Sequence, residues 1–245
     1  MFLTVTSLHS KELKKIHVFV ALCDNVNQGI VPVSKSLGNG QNPKSNLYWG
    51  ALYGVETFLK RKGGPWNFVS SQQHPKEHVL KSTLFYHSQH NALLLAEAYD
   101  GAYMRETIED FLSSVKAVFP RQVTCKNQMV TFGDSSDLVI FIGHNGLMDF
   151  DVNVSKNKTE KTKDFIILAC YSKSYFLPHF NGTSHRPLIW TTNLMAPEAY
   201  TLEAALEGWL KEESVNEIRI RGAKAYAEYQ KCGIAAAKRL LVSGY

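Results

Sequence analysis

Residues 137–172 read DLVIFIGHNGLMDFDVNVSKNKTEKTKDFIILACYS, a segment with two apolar runs that each end abruptly at a residue with reactive chemistry. The run 138–142 breaks at Gly143 and His144, and the run 165–169 breaks at Cys170. Short continuous runs that are rich in β-branched and aromatic residues and bounded by turn residues are typical of strands buried on both faces of a parallel sheet. We therefore predict two such strands.

The polar connection between the two runs, residues 149–164, is long enough to return the chain for a parallel pairing. Neighbouring strands lie about 4.8 Å apart, so His144 and Cys170 would leave the same carboxyl edge of the sheet. Open α/β sheets bind ligands at that edge, and an imidazole near a thiol is the minimum requirement for cysteine nucleophile chemistry. Taken singly, each residue is better explained by packing, since cysteine is among the most buried residue types; the pair favours a site.

Composition and charge are those of an ordinary globular protein. The chain has 245 residues, of which 44% are hydrophobic and 20% charged, and we predict a single domain over 1–245 with a polar lead-in at 1–15. The net charge of +5 is mild and the basic residues are dispersed. No nucleic-acid partner is therefore expected, and the basic segment 156–163 is interpreted as a solvated loop.

The four cysteines are widely spaced and form no C-x-x-C pair, which argues against a disulfide framework or a zinc knuckle. No segment is long and apolar enough to span a bilayer, and the first residues lack the features of a signal peptide. We expect a cytoplasmic location by default, or secretion if a signal peptide was removed from a longer precursor. Neither a cofactor nor a bound metal is expected.

Strand and helix patterns alternate along the chain, which predicts an α/β fold with three layers, helix–sheet–helix, around a mainly parallel sheet. Besides the two central runs, the predicted strands are 16–22, 66–69, 80–86 and 187–190. The predicted helices are 48–60, 91–119, 197–209 and a C-terminal helix at 216–245.

Two histidine pairs, His74 with His78 and His87 with His90, have the spacing of neighbours on one helix face. Metal binding needs a third ligand, and none is evident at a suitable spacing, so surface histidines are the preferred interpretation. The loop 24–44 has no secondary-structure pattern, and loops of this length are rarely left unordered in a compact domain. We predict that it folds over the site as a lid or substrate wall.

The layout resembles the caspase–hemoglobinase fold (clan CD), the group of cysteine peptidases that includes caspases, legumains and gingipains. In that group a buried strand ends in a histidine followed by glycine, and the next strand ends in a cysteine preceded by a small residue. The counterparts here are residues 142–146 (IGHNG) and 168–172 (LACYS). The likeness in topology covers residues 16–210, and glycine follows His144 one position later than in the family, after Asn145.

The resemblance implies acyl transfer, in which Cys170 attacks a peptide carbonyl and His144 carries protons to the leaving amine. Backbone amides, or the side chain of Asn145, would hold the oxyanion. Asp149 is placed to orient the imidazole, although a solvated loop carboxylate is the simpler interpretation. Further residues assigned to the oxyanion turn and to substrate binding are Gly146, Cys23, Asp24, Trp190, Thr191, Thr192 and Asn193. Cys23 lacks a histidine motif and is otherwise interpreted as a packing residue.

The sequence thus predicts a cysteine-type endopeptidase with a His144/Cys170 dyad that acts on a peptide or protein substrate. The alternative is a caspase-fold module without catalytic activity that binds a peptide or a small ligand at the same edge. Asn145 favours the alternative, and the presence of both reactive residues favours the enzyme. A nucleotide-binding α/β protein has less support, because the glycines of residues 37–40 match no phosphate-binding motif.

Overall fold

The computed structural model describes residues 12–116, 119–154 and 162–245. Most of the predicted lead-in and most of the basic segment 156–163 lie outside these residues. The strands of the described chain are β1 (Lys14–Ala21), β2 (Asn67–Lys76), β3 (Val79–His87), β4 (Ala92–Tyr99), β5 (Pro120–Cys125), β6 (Gln128–Gly133), β7 (Leu138–Ile142), β8 (Asp164–Leu168), β9 (Arg186–Thr191) and β10 (Leu241–Val242). The helices are α1 (Val55–Leu59), α2 (Met104–Val115), α3 (Ser172–Phe180), α4 (Ala199–Leu210), α5 (Val215–Gln230) and α6 (Ile234–Leu240).

Eight of these strands form one mixed sheet in the order β10-β9-β8-β7-β1-β4-β3-β2. The five central strands, from β9 to β4, pair in parallel. At the edges, β10 pairs antiparallel with β9, and β3 and β2 continue antiparallel from β4. The prediction of an α/β fold with a mainly parallel sheet is confirmed.

Helices cover both faces of this sheet, because the central strands carry apolar side chains on both sides. Val18 and Ile140 belong to a core with α1, α4, α5 and α6 on one face. Phe19 and Phe141 belong to a second core with α2 and α3 on the other face. The hairpin β5–β6 adds Phe132 to a third cluster over β3 and β4. Among the described residues, no helix has the length and apolar character needed to cross a membrane.

The two strands predicted from residues 137–172 are β7 and β8, and they are neighbours. Ile142 pairs with Leu168 in parallel register, so His144 and Cys170 each lie two residues beyond the last pair. The other predicted strands correspond to β1, β2, β3 and β9, although β2 continues well beyond residue 69, to Lys76. The pairing that the sequence suggested is therefore present.

The prediction of a helix over 91–119 is wrong for its first part. Residues 92–99 form β4, which pairs with β1 on one side and β3 on the other, and every one of its residues is buried. Leu and Ala are good helix formers, but a continuous apolar run does not distinguish a buried strand from a buried helix. The helix α2 begins only after Gly101, where Asp100 accepts a hydrogen bond from the Ala102 amide.

Two other predicted helices are shorter than expected. The segment before α1 is a series of turns, because the chain folds back so closely that a Cβ at Gly50 would lie 2.1 Å from the Lys44 carbonyl oxygen. Leu52, assigned to the apolar face, is 69% exposed. The predicted C-terminal helix 216–245 is divided into α5, α6 and β10, since Lys231 and Gly233 adopt positive φ values of 55° and 76°. The hairpin β5–β6 and helix α3 were not predicted.

A buried ion network joins β1, β4 and the hairpin. Nε2 of His17 lies 2.9 Å from Oε2 of Glu97, and Nε of Arg121 donates to Oε1 of Glu97 at 2.7 Å. Burial alone would raise the pKa of Glu97, but the hydrogen bond with His17 and the charges around it outweigh burial and lower the pKa to about 2. Because burial lowers the pKa of His17 itself, the lasting positive charges are those of Arg121 and Lys76. Glu97 is therefore a charged carboxylate inside the protein, and the stability of the fold depends on the partners that neutralise this charge.

We expect Arg121→Met to lower the free energy of unfolding by about 3–5 kcal/mol, because it leaves the buried Glu97 carboxylate without its cation. Urea unfolding at neutral pH measures this loss. Lys126→Met, an exposed substitution in the same hairpin, is the matched control and should change little. Equal unfolding midpoints for the two variants would contradict this account of Arg121. In the double variant Glu97→Gln/Arg121→Met, we expect part of the lost free energy of unfolding to be recovered.

The depressed pKa of Glu97 also predicts the direction of acid sensitivity. A carboxyl group whose pKa is lowered by folding stabilises the protein fully above its ordinary pKa of 4.5, and that contribution is lost as the pH falls toward about 2. The free energy of unfolding should therefore fall more steeply between about pH 5 and pH 3 for the wild type than for Glu97→Gln. Parallel pH profiles for the two proteins would show that Glu97 is not ionised in the folded state.

Candidate active site at the carboxyl edge of the sheet

The carboxyl ends of β1, β7 and β8 open into one pocket with a volume of about 260 Å³. Cys23 follows β1, His144 follows β7 and Cys170 follows β8, and all three residues line this pocket. The strand β1 lies between β4 and β7. The strands that follow it in sequence, β2 to β4, lie on one side of it, and the later strands β7 to β10 lie on the other side. Such a switch point is where open α/β sheets form ligand crevices.

His144 is held at this edge by a turn that only glycine permits. Gly143 has a φ of 151°, and a Cβ at this position would lie 2.9 Å from the carbonyl oxygen and the Cβ of Ala21. The imidazole is 7% exposed, and its Nε2 donates to Oδ2 of Asp149 at 2.7 Å. This bond leaves Nδ1 as the nitrogen that can exchange a proton in the pocket.

Asp149 reaches His144 because a 3₁₀ turn, Gly146–Met148, shortens the path between them. The amide of Asp149 donates to the Gly146 carbonyl at the end of this turn. Its side chain is 44% exposed and also faces the loop 24–44, where a Cβ at Gly29 would lie 3.1 Å from Oδ1. The sequence left two interpretations of this carboxylate open, a group that orients the imidazole and a solvated loop group. In the structure it is bonded to Nε2 and is also partly exposed.

Cys170 lies between the end of β8 and the first turn of α3. Tyr171 adopts the left-handed conformation with φ of 50°, which turns the chain sharply from strand to helix. The thiol is half-buried, and Sγ accepts a hydrogen bond from the Met195 amide at 3.4 Å. The thiol therefore lies just before the first turn of a helix and beside a backbone N–H, at the wall of the pocket.

Asn145 holds the two strand ends together rather than facing a ligand. Its side-chain amide donates to the Cys170 carbonyl at 2.7 Å, and its Oδ1 accepts from the Leu147 amide at 3.2 Å. The suggestion that this side chain donates to an oxyanion does not fit these bonds. Gly146 is required by packing, since a Cβ there would lie 2.5 Å from Cγ of Met104.

Cys23 lines the pocket but is fully buried. Burial raises the pKa of its thiol to about 11, although a hydrogen bond with Tyr48 acts in the opposite direction. Such a thiol stays protonated at neutral pH, and the thiolate is the reactive form. The interpretation of Cys23 as a packing residue fits this environment better than a role as a second nucleophile.

The loop 24–44 forms one wall of the pocket, as expected of a substrate wall. Gly29, Ile30, Val31 and Val33 line the pocket. Asp24 does not; it organises the loop by accepting hydrogen bonds from Val26, Asn27 and Gln41. The loop is therefore fixed by its own polar contacts and presents apolar side chains to the site.

The structure does not bring the other predicted substrate-binding residues into this pocket. Trp190 and Thr191 are fully buried; the Trp190 indole donates to the Gly244 carbonyl, and Thr191 bonds to Ala169 and Ser172. Thr192 and Asn193 instead anchor the following loop. Thr192 donates to the Arg239 carbonyl at 2.8 Å, and the Asn193 carbonyl accepts from the Tyr171 amide at 3.0 Å.

Sequence reasoning missed the residues that make the pocket apolar. They come from three separate segments and include Tyr48, Met148, Leu194, Met195 and Pro197. Leu194 is 63% exposed and Val31 87% exposed, so the pocket has an apolar rim in contact with solvent. An exposed cluster of this kind marks a binding surface more often than a scattered apolar residue does. Among the described residues, no cluster of three metal-binding side chains lies at this pocket.

Comparison with known protein families, curated proteins and solved structures finds no match for this chain. The function must therefore be inferred from the geometry of the pocket and from its residues.

We expect Asn145→Ala to lower the free energy of unfolding by about 1–3 kcal/mol, because it leaves the Cys170 carbonyl and the Leu147 amide without their partner. Urea unfolding measures the change. Asn153→Ala, a nearby exposed substitution, should have little effect. If both variants unfold at the wild-type midpoint, the Asn145 bridge does not hold the strand ends together.

Proposed function

We propose that this protein is a cysteine hydrolase, acting as a peptidase, in which His144 and Cys170 form a catalytic dyad. The observation that carries the proposal is that both side chains line one pocket at the in-register ends of adjacent parallel strands. The bond between His144 and Asp149 adds support, because an oriented imidazole is the usual partner of a nucleophile. We include in this proposal that the protein has a fold like that of the caspase–hemoglobinase group.

In the proposed reaction, Nδ1 of His144 takes the Cys170 proton and the sulfur attacks the carbonyl carbon of a peptide bond. The amides of Cys170 and Asn145 are the proposed donors to the oxyanion. His144 then protonates the leaving amine as the C–N bond breaks, which leaves a thioester on Cys170. Attack by water, with His144 as base, releases the carboxylic acid product and restores the thiol.

The lining of the pocket indicates the substrate class. Ile30, Val33, Met148, Leu194 and Met195 present apolar surface next to the thiol, and among the described lining residues the only ionisable side chains are those of the two cysteines, His144 and Tyr48. A charged side chain would lose its hydration there without gaining an ion partner. We therefore propose that the residue preceding the cleaved bond is apolar.

One observation favours the alternative of a binding module without catalysis. In the described structure, the Cys170 thiol contacts the Met195 backbone and has no hydrogen bond with His144. Catalytic hydrogen bonds are often long in a free enzyme and shorten when substrate binds, so this observation does not exclude the enzyme. If the protein is a binding module, the same apolar pocket binds a peptide without cleaving it.

We expect a peptidyl electrophile with an apolar residue beside its reactive carbonyl to label Cys170 in preference to the other cysteines. Cys170→Ala should abolish this labelling, and His144→Ala should slow it by about 10²–10⁴-fold, because proton transfer by the imidazole is lost. Asp149→Asn should cause a smaller loss, since this carboxylate is partly exposed to water. Mass spectrometry of the labelled peptides gives the site and the rate.

Cys232→Ala is the matched control, because this thiol is exposed and lies outside the pocket. Cleavage of a peptide mixture, read by mass spectrometry, tests the substrate class: cuts after apolar residues support the proposal. Equal labelling of Cys170 and Cys232, together with peptide binding and no cleavage, would replace the enzyme by the binding module.

A further inference from the structure

Three metal-binding side chains meet at the opposite edge of the sheet, where the parallel strands begin. His87 is the last residue of β3, His90 lies in the 3₁₀ turn Ser88–His90, and Glu207 lies in α4. One ligand atom from each of the three lies within 4.8 Å of the others. The whole length of β1 separates this cluster from the pocket at Cys23, so it is distinct from the candidate active site.

His87 is the member of the cluster that most needs a partner. It is 1% exposed, and neither of its ring nitrogens has a hydrogen-bond partner. The edge of the ring packs against Trp66, with 5.0 Å between the ring centroids. Buried polar atoms are almost always bonded, so an orphaned imidazole points to a ligand.

Glu207 and His90 complete the set from two different elements. Oε1 of Glu207 lies 2.7 Å from the Lys211 ammonium, and Oε2 lies 4.0 Å from Nε2 of His87. The Lys211 ion pair thus fixes the carboxylate and leaves its second oxygen toward the imidazole. The rings of His87 and His90 lie with their centroids 4.9 Å apart. Both His90 and Glu207 are half-buried and have room to adjust.

We propose that His87, His90 and Glu207 bind a Zn²⁺ ion. Two imidazoles and one carboxylate are a common ligand set for tetrahedral zinc, with water in the fourth position. Mg²⁺ and Ca²⁺ prefer six or more oxygen ligands, which this cluster does not offer. Ligand atoms at about 2.1 Å from zinc lie roughly 3.4 Å from one another. The ligand atoms, now within 4.8 Å of one another, would therefore approach by up to about 1.4 Å when the ion binds.

The ion would join parts of the chain that are far apart in sequence. It would link the β3–β4 connection to α4 across the edge of the sheet and would stabilise the folded state, because the unfolded chain does not hold the three ligands together. His90 also lines a cavity of about 610 Å³ beside Trp209 and Lys211, which gives a hydrated ion access to the cluster. The site therefore has ligands, a buried anchor and a route from solvent.

The experiment is a titration of the full chain, freed of metal with a chelator that is then removed, with Zn²⁺ followed by calorimetry. We expect one equivalent to bind and the thermal unfolding midpoint to rise with Zn²⁺. Co²⁺ serves as a second probe, because its d–d absorption reports tetrahedral binding and a sulfur charge-transfer band would reveal cysteine ligands. We expect the d–d absorption of tetrahedral Co²⁺ and no sulfur charge-transfer band.

Glu207→Gln and His90→Ala should each lose this equivalent and the shift in the unfolding midpoint. His78→Asn removes a histidine outside the cluster, and this control should keep the equivalent. The proposal is overturned if the wild-type chain binds no Zn²⁺, or if both ligand variants bind it as the wild type does. Because His90 is half-buried, its variant remains informative even if Glu207→Gln disturbs α4.

Discussion

Parallel pairing in register is the constraint on which the rest of this structure depends. The strands β1, β7 and β8 are buried on both faces, so their backbone groups have to be satisfied by one another, and the chain can turn only beyond their ends. Because the register aligns those ends, His144 and Cys170 leave the sheet side by side. Neither residue needs a special contact with the other to be brought to the same pocket.

The turns at this edge are built from polar side chains that bond to backbone groups. Asn145 bridges to the Cys170 carbonyl, and Asn46 bonds to both the amide and the carbonyl of Cys23. Asp24 gathers the loop 24–44 in a similar way. Each bond satisfies a backbone group that lies outside the strand ladder and would otherwise be left unpaired in a partly buried place. The polar residues of the edge therefore position the site, and the apolar ones form its surface.

Most buried polar groups elsewhere in the fold follow the same rule, although the described residues include exceptions, with side-chain atoms of His17, His87, Ser114, Ser136 and Thr201 left without a hydrogen-bond partner. Glu97 is fully buried but has His17 and Arg121 as partners, which compensates for the cost of placing a charge there. His87 is almost as buried, and neither of its ring nitrogens has a hydrogen-bond partner among the described residues; the nearest carboxylate oxygen, from Glu207, lies 4.0 Å from Nε2. The fold thus neutralises the charge of Glu97 with its own side chains, whereas the ring nitrogens of His87 are left without a hydrogen bond.

The sequence by itself determined the two central strands, the strands β1 and β9, the helix α4 and the placement of His144 and Cys170 at one edge of the sheet. Each of these follows from local information: a short apolar run, a turn residue at its end and a connection of suitable length. It did not determine β4, because the run ALLLAEAY has the composition of a helix and becomes a strand only through its pairing with β1 and β3.

Tertiary structure alone decided which side chains surround His144 and Cys170 and which meet at His87. Leu194 and Met195 reach the pocket because Thr192 and Asn193 anchor their loop to distant backbone, so the anchors were mistaken for the contact residues. Glu207 lies far along the chain from His87 and His90 and joins them only when α4 packs on the sheet. Sequence patterns report the period of an element, whereas contacts between elements depend on packing over the whole core, and no local pattern contains that information.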